Sequence, residues 1–154
     1  MSIDARLAEL GITLPAPAAP VATYVPWVEV NGLLHISGQI SLNDGELMTG
    51  RLGEDRDLAY GVKAARACAL NLIAQMKAAL GDLDRVERIV KLGAFVSSTP
   101  GFTDQPKVAN GASDLMVEIF GDGGRHARSA VGVPVLPLGA AVEIDAVVLV
   151  RPAA

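Results

Sequence analysis

Two charged residues stand in apolar stretches in the last third of the chain. Arg128 begins one apolar run, and Glu143 lies inside another, fifteen residues further on. Such a charge usually pairs with an opposite charge or binds a ligand. An arginine can hold a carboxylate through two parallel hydrogen bonds, and a partly desolvated glutamate can act as a base. The two residues therefore predict a small pocket for an anionic substrate.

The strands that carry these charges determine how far apart they lie. The turn Leu136–Gly139 is predicted to join the two strands, with Arg128 opposite Val147. Alternation then places Arg128 and Glu143 on the sheet face that the helices do not cover. Four residues would separate them along the strands, roughly 13 Å, which leaves room for a small molecule. A structural salt bridge between subunits is the alternative interpretation of both charges.

Other residues near these strands could contribute to a site. His126 precedes Arg128 by two residues and is a candidate acid or base, although a lone histidine in a loop is usually only solvated. Tyr24 could edge a pocket or an interface, and Asn110 could lie on a helix surface or donate a hydrogen bond to a ligand. In Ser37–Gln39 a glycine interrupts a strand, which indicates a bulge or a close approach of backbone to a ligand.

Composition limits the classes of function. The chain has 154 residues, of which 51% are apolar and 19% charged, so we expect one domain and an oligomer that buries apolar surface between subunits. The net charge of -4 and the absence of a basic tract argue against nucleic-acid binding. The chain has one cysteine and two histidines, so we expect no internal disulfide, no metal site and no cofactor that requires a metal site.

Several familiar sequence signals are absent. We find no P-loop, no dinucleotide-binding glycine motif, no Ser-His-Asp arrangement and no pair of cysteines at metal-ligand spacing. Met1–Asp4 lacks a cationic start and an apolar core, and no apolar run approaches eighteen residues. We therefore expect neither a signal peptide nor a membrane span, and a cytoplasmic protein.

Apolar periodicity predicts the element order helix, β-β-α-β-α-β-β, an α+β sandwich with two long helices on one face of the sheet. Residues 1–23 are expected to form a helix and a proline-rich arm, and residues 24–154 a single domain. The arm is either a plain connector, a lid, or a brace against a neighbouring subunit. The predicted helices are Ser2–Leu10, Asp57–Leu80 and Thr103–Phe120. The predicted strands are Tyr24–Val30, Leu33–Ile40, a run that begins at Asp84 to Val86 and ends at Ser97, Arg128–Val135 and Ala140–Val150.

Three segments together resemble the Rid family, the reactive intermediate deaminases also called YjgF or L-PSP proteins. They are Ser37–Gln39, Ala127–Ser129 and Val142–Ala146, with Leu136–Pro137 between the last two. The resemblance runs from about Tyr24 to Val150, in the same order and at compatible spacings. The arm and the segment Phe102–Pro106 are longer than in typical members, which indicates a divergent subgroup.

The resemblance implies a fold like that of the small chorismate mutases: a mixed sheet with two helices on one face. It also implies a homotrimer whose sheets form a central barrel, with clefts between neighbouring subunits. The activity it implies is hydrolysis of 2-imino and enamino acids, such as 2-aminoacrylate, to 2-keto acids and ammonia. A small carboxylate metabolite would be the ligand, and neither a metal nor a cofactor would be required.

The resemblance also implies roles for individual residues. Arg128 would bind the substrate carboxylate, and Glu143 would lie near the attacking water. Ala130 replaces a cysteine of typical members, which excludes a thiol there and leaves only its backbone groups. The remaining substrate-binding residues it implies are Tyr24, Ser37, Gly38 and Asn110.

Two other functions remain open at this point. The first is a non-catalytic trimer that binds a small carboxylate as a regulatory signal, for which the altered arm and Ala130 are the motivation. The second is endoribonuclease activity, which is associated with some relatives of the family. The acidic net charge and the absence of a His or Lys pair for phosphodiester cleavage argue against it.

Overall fold

The computed structural model describes residues 1–20 and 22–154, so Val21 of the arm lies outside the described part. The described chain has three α-helices and seven strands. The helices are α1 (Ile3–Glu9), α2 (Leu58–Leu80) and α3 (Gln105–Phe120). The strands are β1 (Trp27–Val30), β2 (Leu33–Ile40), β3 (Leu42–Asn43), β4 (Glu46–Leu47), β5 (Val86–Ser97), β6 (Ala127–Val133) and β7 (Val142–Val150).

Five strands form one mixed sheet in the order β1-β2-β7-β5-β6, and β3 and β4 form a separate small hairpin. The β5 and β6 strands are parallel because α3 connects them as a crossover. The other neighbours in the sheet are antiparallel. The predicted α+β class with a mixed sheet is therefore confirmed.

The predicted pairing of the last two strands is wrong. Leu136–Gly139 does turn the chain, but β7 does not return beside β6; it lies between β2 and β5. A central position gives β7 two hydrogen-bonded neighbours and buries its apolar face. The buried residues of that face are Val142, Ile144, Ala146, Val148 and Val150. Arg128 consequently pairs with Leu92 of β5 rather than with Val147.

Helices α2 and α3 cover one face of the sheet and enclose the core. The Asp57 side chain caps α2 by accepting a hydrogen bond from the Tyr60 amide at 2.9 Å, and Gly81 ends the helix with a positive φ of 74°. The helices approach closely at Gly111, where a Cβ would overlap the Val62 carbonyl. Within the described residues, no helix covers the other face of the sheet.

The first helix is attached to the same core. The Ser2 side chain caps α1 by accepting a hydrogen bond from the Ala5 amide at 3.1 Å, and Leu7 is buried. Asp4 forms an ion pair with Lys77 of α2 at 2.8 Å. The arm therefore begins from a fixed point, while its division from the domain at residue 23 stays a prediction. Among the described helices, none combines the length and apolar character needed to cross a bilayer.

Candidate functional site

The residues implied in the site fall into two clusters within one protomer. Glu143, Gly38 and Tyr24 line a cavity of about 390 Å³ where β2 ends, which we call the Glu143 cavity. Arg128 and Asn110 contact each other at the opposite edge of the sheet, between β6 and α3. The sequence grouped these residues into one pocket, whereas the protomer holds them apart.

A bulge in β2 shapes the Glu143 cavity. The pairing of β2 with β7 shifts between Ile36 and Gln39, so Ser37 and Gly38 leave the regular ladder. A Cβ on Gly38 would lie only 2.8 Å from Glu143 Oε1. The predicted close approach at this glycine is thus to the Glu143 side chain, and only glycine leaves the carboxylate in its present position.

Burial raises the pKa of the Glu143 carboxyl, and the neighbouring carboxylate of Asp145 raises it further. Glu143 is half-buried and forms no ion pair with another described residue. The Glu143 cavity also has a mainly apolar wall. A carboxylate in such surroundings is more basic than one in water, so it is suited to take a proton from a bound water.

Tyr24 and Ser37 contribute to the cavity in different ways. Tyr24 is half exposed and lines the cavity. The Ser37 hydroxyl donates to the Val25 carbonyl at 2.8 Å, and the Ser37 amide donates to the Pro26 carbonyl at 2.9 Å. Ser37 therefore fixes the segment that carries Tyr24.

Three neutral oxygens hold the Arg128 side chain against α3. One terminal nitrogen donates to Asn110 Oδ1 at 2.9 Å and to Ser113 Oγ at 3.0 Å, and the other donates to the Pro106 carbonyl at 3.2 Å. No carboxylate of the described residues pairs with this guanidinium. Its position is fixed while its positive charge stays uncompensated within the protomer, which suits it to bind an anion.

The prediction that Arg128 lies on the sheet face not covered by helices is wrong. Its partner Leu92 is fully buried, and Ala130, two residues further along β6, packs against the same core. Both side chains therefore lie on the helix face, at the edge of the sheet. Glu143 does lie on the open face, as predicted, because it alternates with the buried Val142 and Ile144.

Sequence reasoning missed Ser113, and it took His126 for a candidate acid or base. His126 Nδ1 lies 2.6 Å from the Gly124 carbonyl, so it must carry the proton and donate. In the neutral ring Nε2 is then an acceptor, and it receives the Ser113 hydroxyl at 2.8 Å. The available signal was the spacing of Ser113 and Asn110, which are three residues apart and so share one face of α3.

No group of three or more His, Cys, Asp or Glu side chains in the described residues is arranged to hold a metal ion. Cys68 is buried under the sheet, where its Sγ lies 3.4 Å from the Val142 carbonyl. Burial raises the pKa of this thiol well above its usual value. It is therefore a packed core residue and not a nucleophile.

Comparisons with known proteins agree with this geometry. Residues 4–148 match the family model described as "YjgF/chorismate_mutase-like, putative endoribonuclease". Protein TCP17 of Trypanosoma cruzi is 58% identical over 148 residues, covering 95% of this chain and 92% of that protein. The 2-iminobutanoate/2-iminopropanoate deaminase of Dermatophagoides farinae is 29% identical, covering 91% and 95%.

Similarity extends to the three-dimensional structure. The crystal structure of Atu1372 from Agrobacterium tumefaciens, a protein of unknown function, superimposes with a TM-score of 0.90 at 48% identity. The match covers 97% of this chain and 92% of that one. Since the family model spans nearly the whole chain and the mixed sheet with its helices matches, the chain belongs to the YjgF/chorismate-mutase-like family, as the resemblance to Rid proteins implied.

Proposed function

We propose that the protein hydrolyses 2-imino and enamino acids to 2-keto acids and ammonia, at a site that two subunits of a homotrimer share. The observation that carries the proposal is the pair of complementary half-sites on one protomer. Arg128 offers a braced, uncompensated cation, and Glu143 offers a basic carboxylate in a mainly apolar cavity. A relative of this chain carries the name of an imino-acid deaminase, which supports the same reaction.

Arg128 would orient the substrate. Its guanidinium keeps free N–H donors beyond the three hydrogen bonds that fix it, so it can take up a carboxylate. An imino acid has its carboxylate bonded directly to the reactive C2 carbon. Fixing the carboxylate therefore fixes C2, and converts the attack of water into a reaction between positioned groups.

Glu143 would activate the water. As the water oxygen bonds to C2 of the protonated imine, the carboxylate takes one of its protons, and the C=N electron pair moves to nitrogen. Glu143 then returns this proton to the nitrogen of the carbinolamine. The C–N bond then breaks as Glu143 takes the hydroxyl proton and the C=O bond forms, and this proton passes to the departing ammonia. One protonated imino acid and one water therefore give one 2-keto acid and one ammonium ion. The raised pKa of Glu143 brings its basicity closer to neutral pH, where these transfers are favourable.

The test is release of ammonia or keto acid when the protein is supplied with 2-aminoacrylate by a dehydratase acting on serine. Wild type should accelerate the release, and Arg128→Ala should lose most of that acceleration. Equal inactivity of wild type and Arg128→Ala, across several amino-acid-derived imines, would show that the protein is not a deaminase.

A binding protein without turnover is the second candidate. Its support is the missing thiol at Ala130, together with the cavity that the arm encloses on one side. Calorimetry with 2-keto acids distinguishes the deaminase from the binding protein, because tight binding without hydrolysis favours a regulatory trimer.

Endoribonuclease activity has less support. Both ring nitrogens of His126 are engaged in hydrogen bonds, and the net charge of the chain is negative.

A further inference from the structure

The proline-rich arm supplies part of the wall of the Glu143 cavity. Ala18, Ala19 and Pro20 line the cavity together with Tyr24. The arm leaves α1, whose Leu7 is buried in the core and whose Asp4 pairs with Lys77 of α2 at 2.8 Å. The segment therefore connects an anchored helix to the mouth of the candidate site.

Two buried amide side chains hold the arm in this position. Gln75 of α2 is only 1% exposed, and its Nε2 donates to the Ala18 carbonyl at 2.9 Å and to Gln39 Oε1 at 3.4 Å. Gln39 in turn donates to the Ser37 carbonyl at 3.0 Å, within the bulge that faces Glu143. A buried amide is costly unless it is hydrogen-bonded, so this connection favours the arm in its cavity-lining position.

The sequence of the arm lowers the entropic cost of that position. Pro17 and Pro20 flank the two alanines, and a proline restricts its own φ and the conformation of the residue before it. The segment is thus a stiff strip of small apolar side chains. A stiff wall can discriminate between ligands by size, which a freely moving arm cannot.

The rest of the cavity has the same chemistry. Other apolar side chains complete its wall. They are Pro26 before β1, Ile40 at the end of β2, Leu42 of β3, and Pro137 and Leu138 in the turn before β7. A cavity of about 390 Å³ falls within the range of small-molecule sites and is far larger than a methyl group needs. Glu143 is its only charged lining residue among those described.

We propose that the arm segment Ala18–Pro20 is a specificity wall that receives the substrate's side chain and selects imino acids with a branched aliphatic or aromatic side chain over those with a methyl group. This inference rests on the proposed function, since it assigns the substrate class of the same site. Each additional methylene buried against this wall strengthens binding roughly fourfold, so a leucine-derived substrate gains at least about tenfold over an alanine-derived one.

The experiment measures kcat/KM for imino acids that an amino-acid oxidase generates from alanine, 2-aminobutyrate, leucine and phenylalanine. Calorimetry with the four corresponding 2-keto acids gives a second readout that needs no turnover. Ala19→Leu places a larger side chain at the cavity wall. Ala16→Leu makes the same change in the same arm, at an exposed position that does not line the cavity.

For wild type and Ala16→Leu we expect a leucine-to-alanine preference of at least about tenfold, in kcat/KM and in keto-acid affinity. Ala19→Leu should reduce that ratio at least about fivefold. Two results would contradict the proposed role of Ala18–Pro20 without affecting deamination. One is a wild type that shows no leucine-to-alanine preference, and the other is an Ala19→Leu variant with the same preference as Ala16→Leu. If keto acids bind with the expected size dependence but no turnover is seen, deamination is contradicted and the role of Ala18–Pro20 is supported. If neither turnover nor binding is seen, both proposals are contradicted.

Discussion

Arg128 and Glu143 lie on opposite faces of the central sheet. Arg128 pairs with Leu92 of β5, whereas Glu143 pairs with Phe95, three residues further along the same strand, and positions three apart on a strand point to opposite faces. Two strand spacings, about 10 Å, also separate β6 from β7. One small imino acid cannot contact both groups of a single protomer, so the proposed reaction requires two copies of the chain.

Mixing two inactive variants tests this requirement. Arg128→Ala lacks the carboxylate-binding group, and Glu143→Gln lacks the base, so each homo-oligomer should be inactive. If a site combines Arg128 of one subunit with Glu143 of its neighbour, random mixing restores both groups in about a quarter of the sites. We expect the co-refolded mixture to regain activity of that order, measured as keto-acid release.

The control is the same two variants mixed without unfolding, so that subunits have no opportunity to exchange. Activity there should stay at the level of the separate variants. A co-refolded mixture as inactive as its components would show that the two groups do not act in one shared site.

Ser113 connects Arg128 to His126. Its oxygen accepts from the guanidinium at 3.0 Å, while its hydroxyl donates to His126 Nε2 at 2.8 Å. Ser113→Ala should let the guanidinium shift and weaken carboxylate binding. The loss of one hydrogen bond, about 0.5–1.5 kcal/mol, predicts a KM about 2–12-fold higher with kcat nearly unchanged.

Rescue by the conservative variant separates positioning from general damage. Ser113→Thr keeps the hydroxyl and should retain a KM close to wild type, since a half-buried position tolerates the extra methyl. If Ser113→Thr and Ser113→Ala raise KM equally, or if kcat falls while KM holds, Ser113 does not act by holding Arg128.

The regular elements follow from local pattern, whereas the site depends on long-range order. The apolar pattern of α2 correctly predicted its end at Leu80, and alternation correctly placed Glu143 on the sheet face that α2 and α3 leave open. The neighbours of β7 could not be deduced in this way, because sequence adjacency favoured a hairpin with β6. The α3 crossover instead placed β6 at the edge, and only then does the Arg128 side chain reach Asn110.

The raised pKa of Glu143 predicts a pH-dependent gain in stability for Glu143→Gln. Burial, reinforced by Asp145, raises the pKa of the folded carboxyl above the ordinary 4.5, so the folded state holds this proton to a higher pH than the unfolded state does. Stability is then lost as the pH rises through the folded pKa. Glutamine does not ionise, so Glu143→Gln should unfold at a higher temperature than wild type at neutral pH, and this advantage should disappear below pH 4.5.

Thermal unfolding of both proteins between acid and neutral pH measures this difference. Glu46→Gln is the matched control, because Glu46 is exposed on β4 and its substitution removes the same charge at the surface. An advantage for Glu143→Gln that is equal at all pH values would contradict the assigned cause. The same pH-dependent rise in unfolding temperature for Glu46→Gln would also contradict it, because the effect would then come from the change in net charge alone.

Two glycine-to-alanine substitutions should separate function from folding. A Cβ at Gly38 meets the mobile end of Glu143 at 2.8 Å, so Gly38→Ala should displace the carboxylate and lower kcat/KM at least about tenfold with little change in melting temperature. A Cβ at Gly111 overlaps the Val62 backbone carbonyl, which cannot move without separating α2 from α3. Gly111→Ala should therefore cost about 1–3 kcal/mol of stability in thermal or denaturant unfolding. Equal effects of the two variants on melting temperature would show that the Gly38 contact supports the fold and not the position of Glu143.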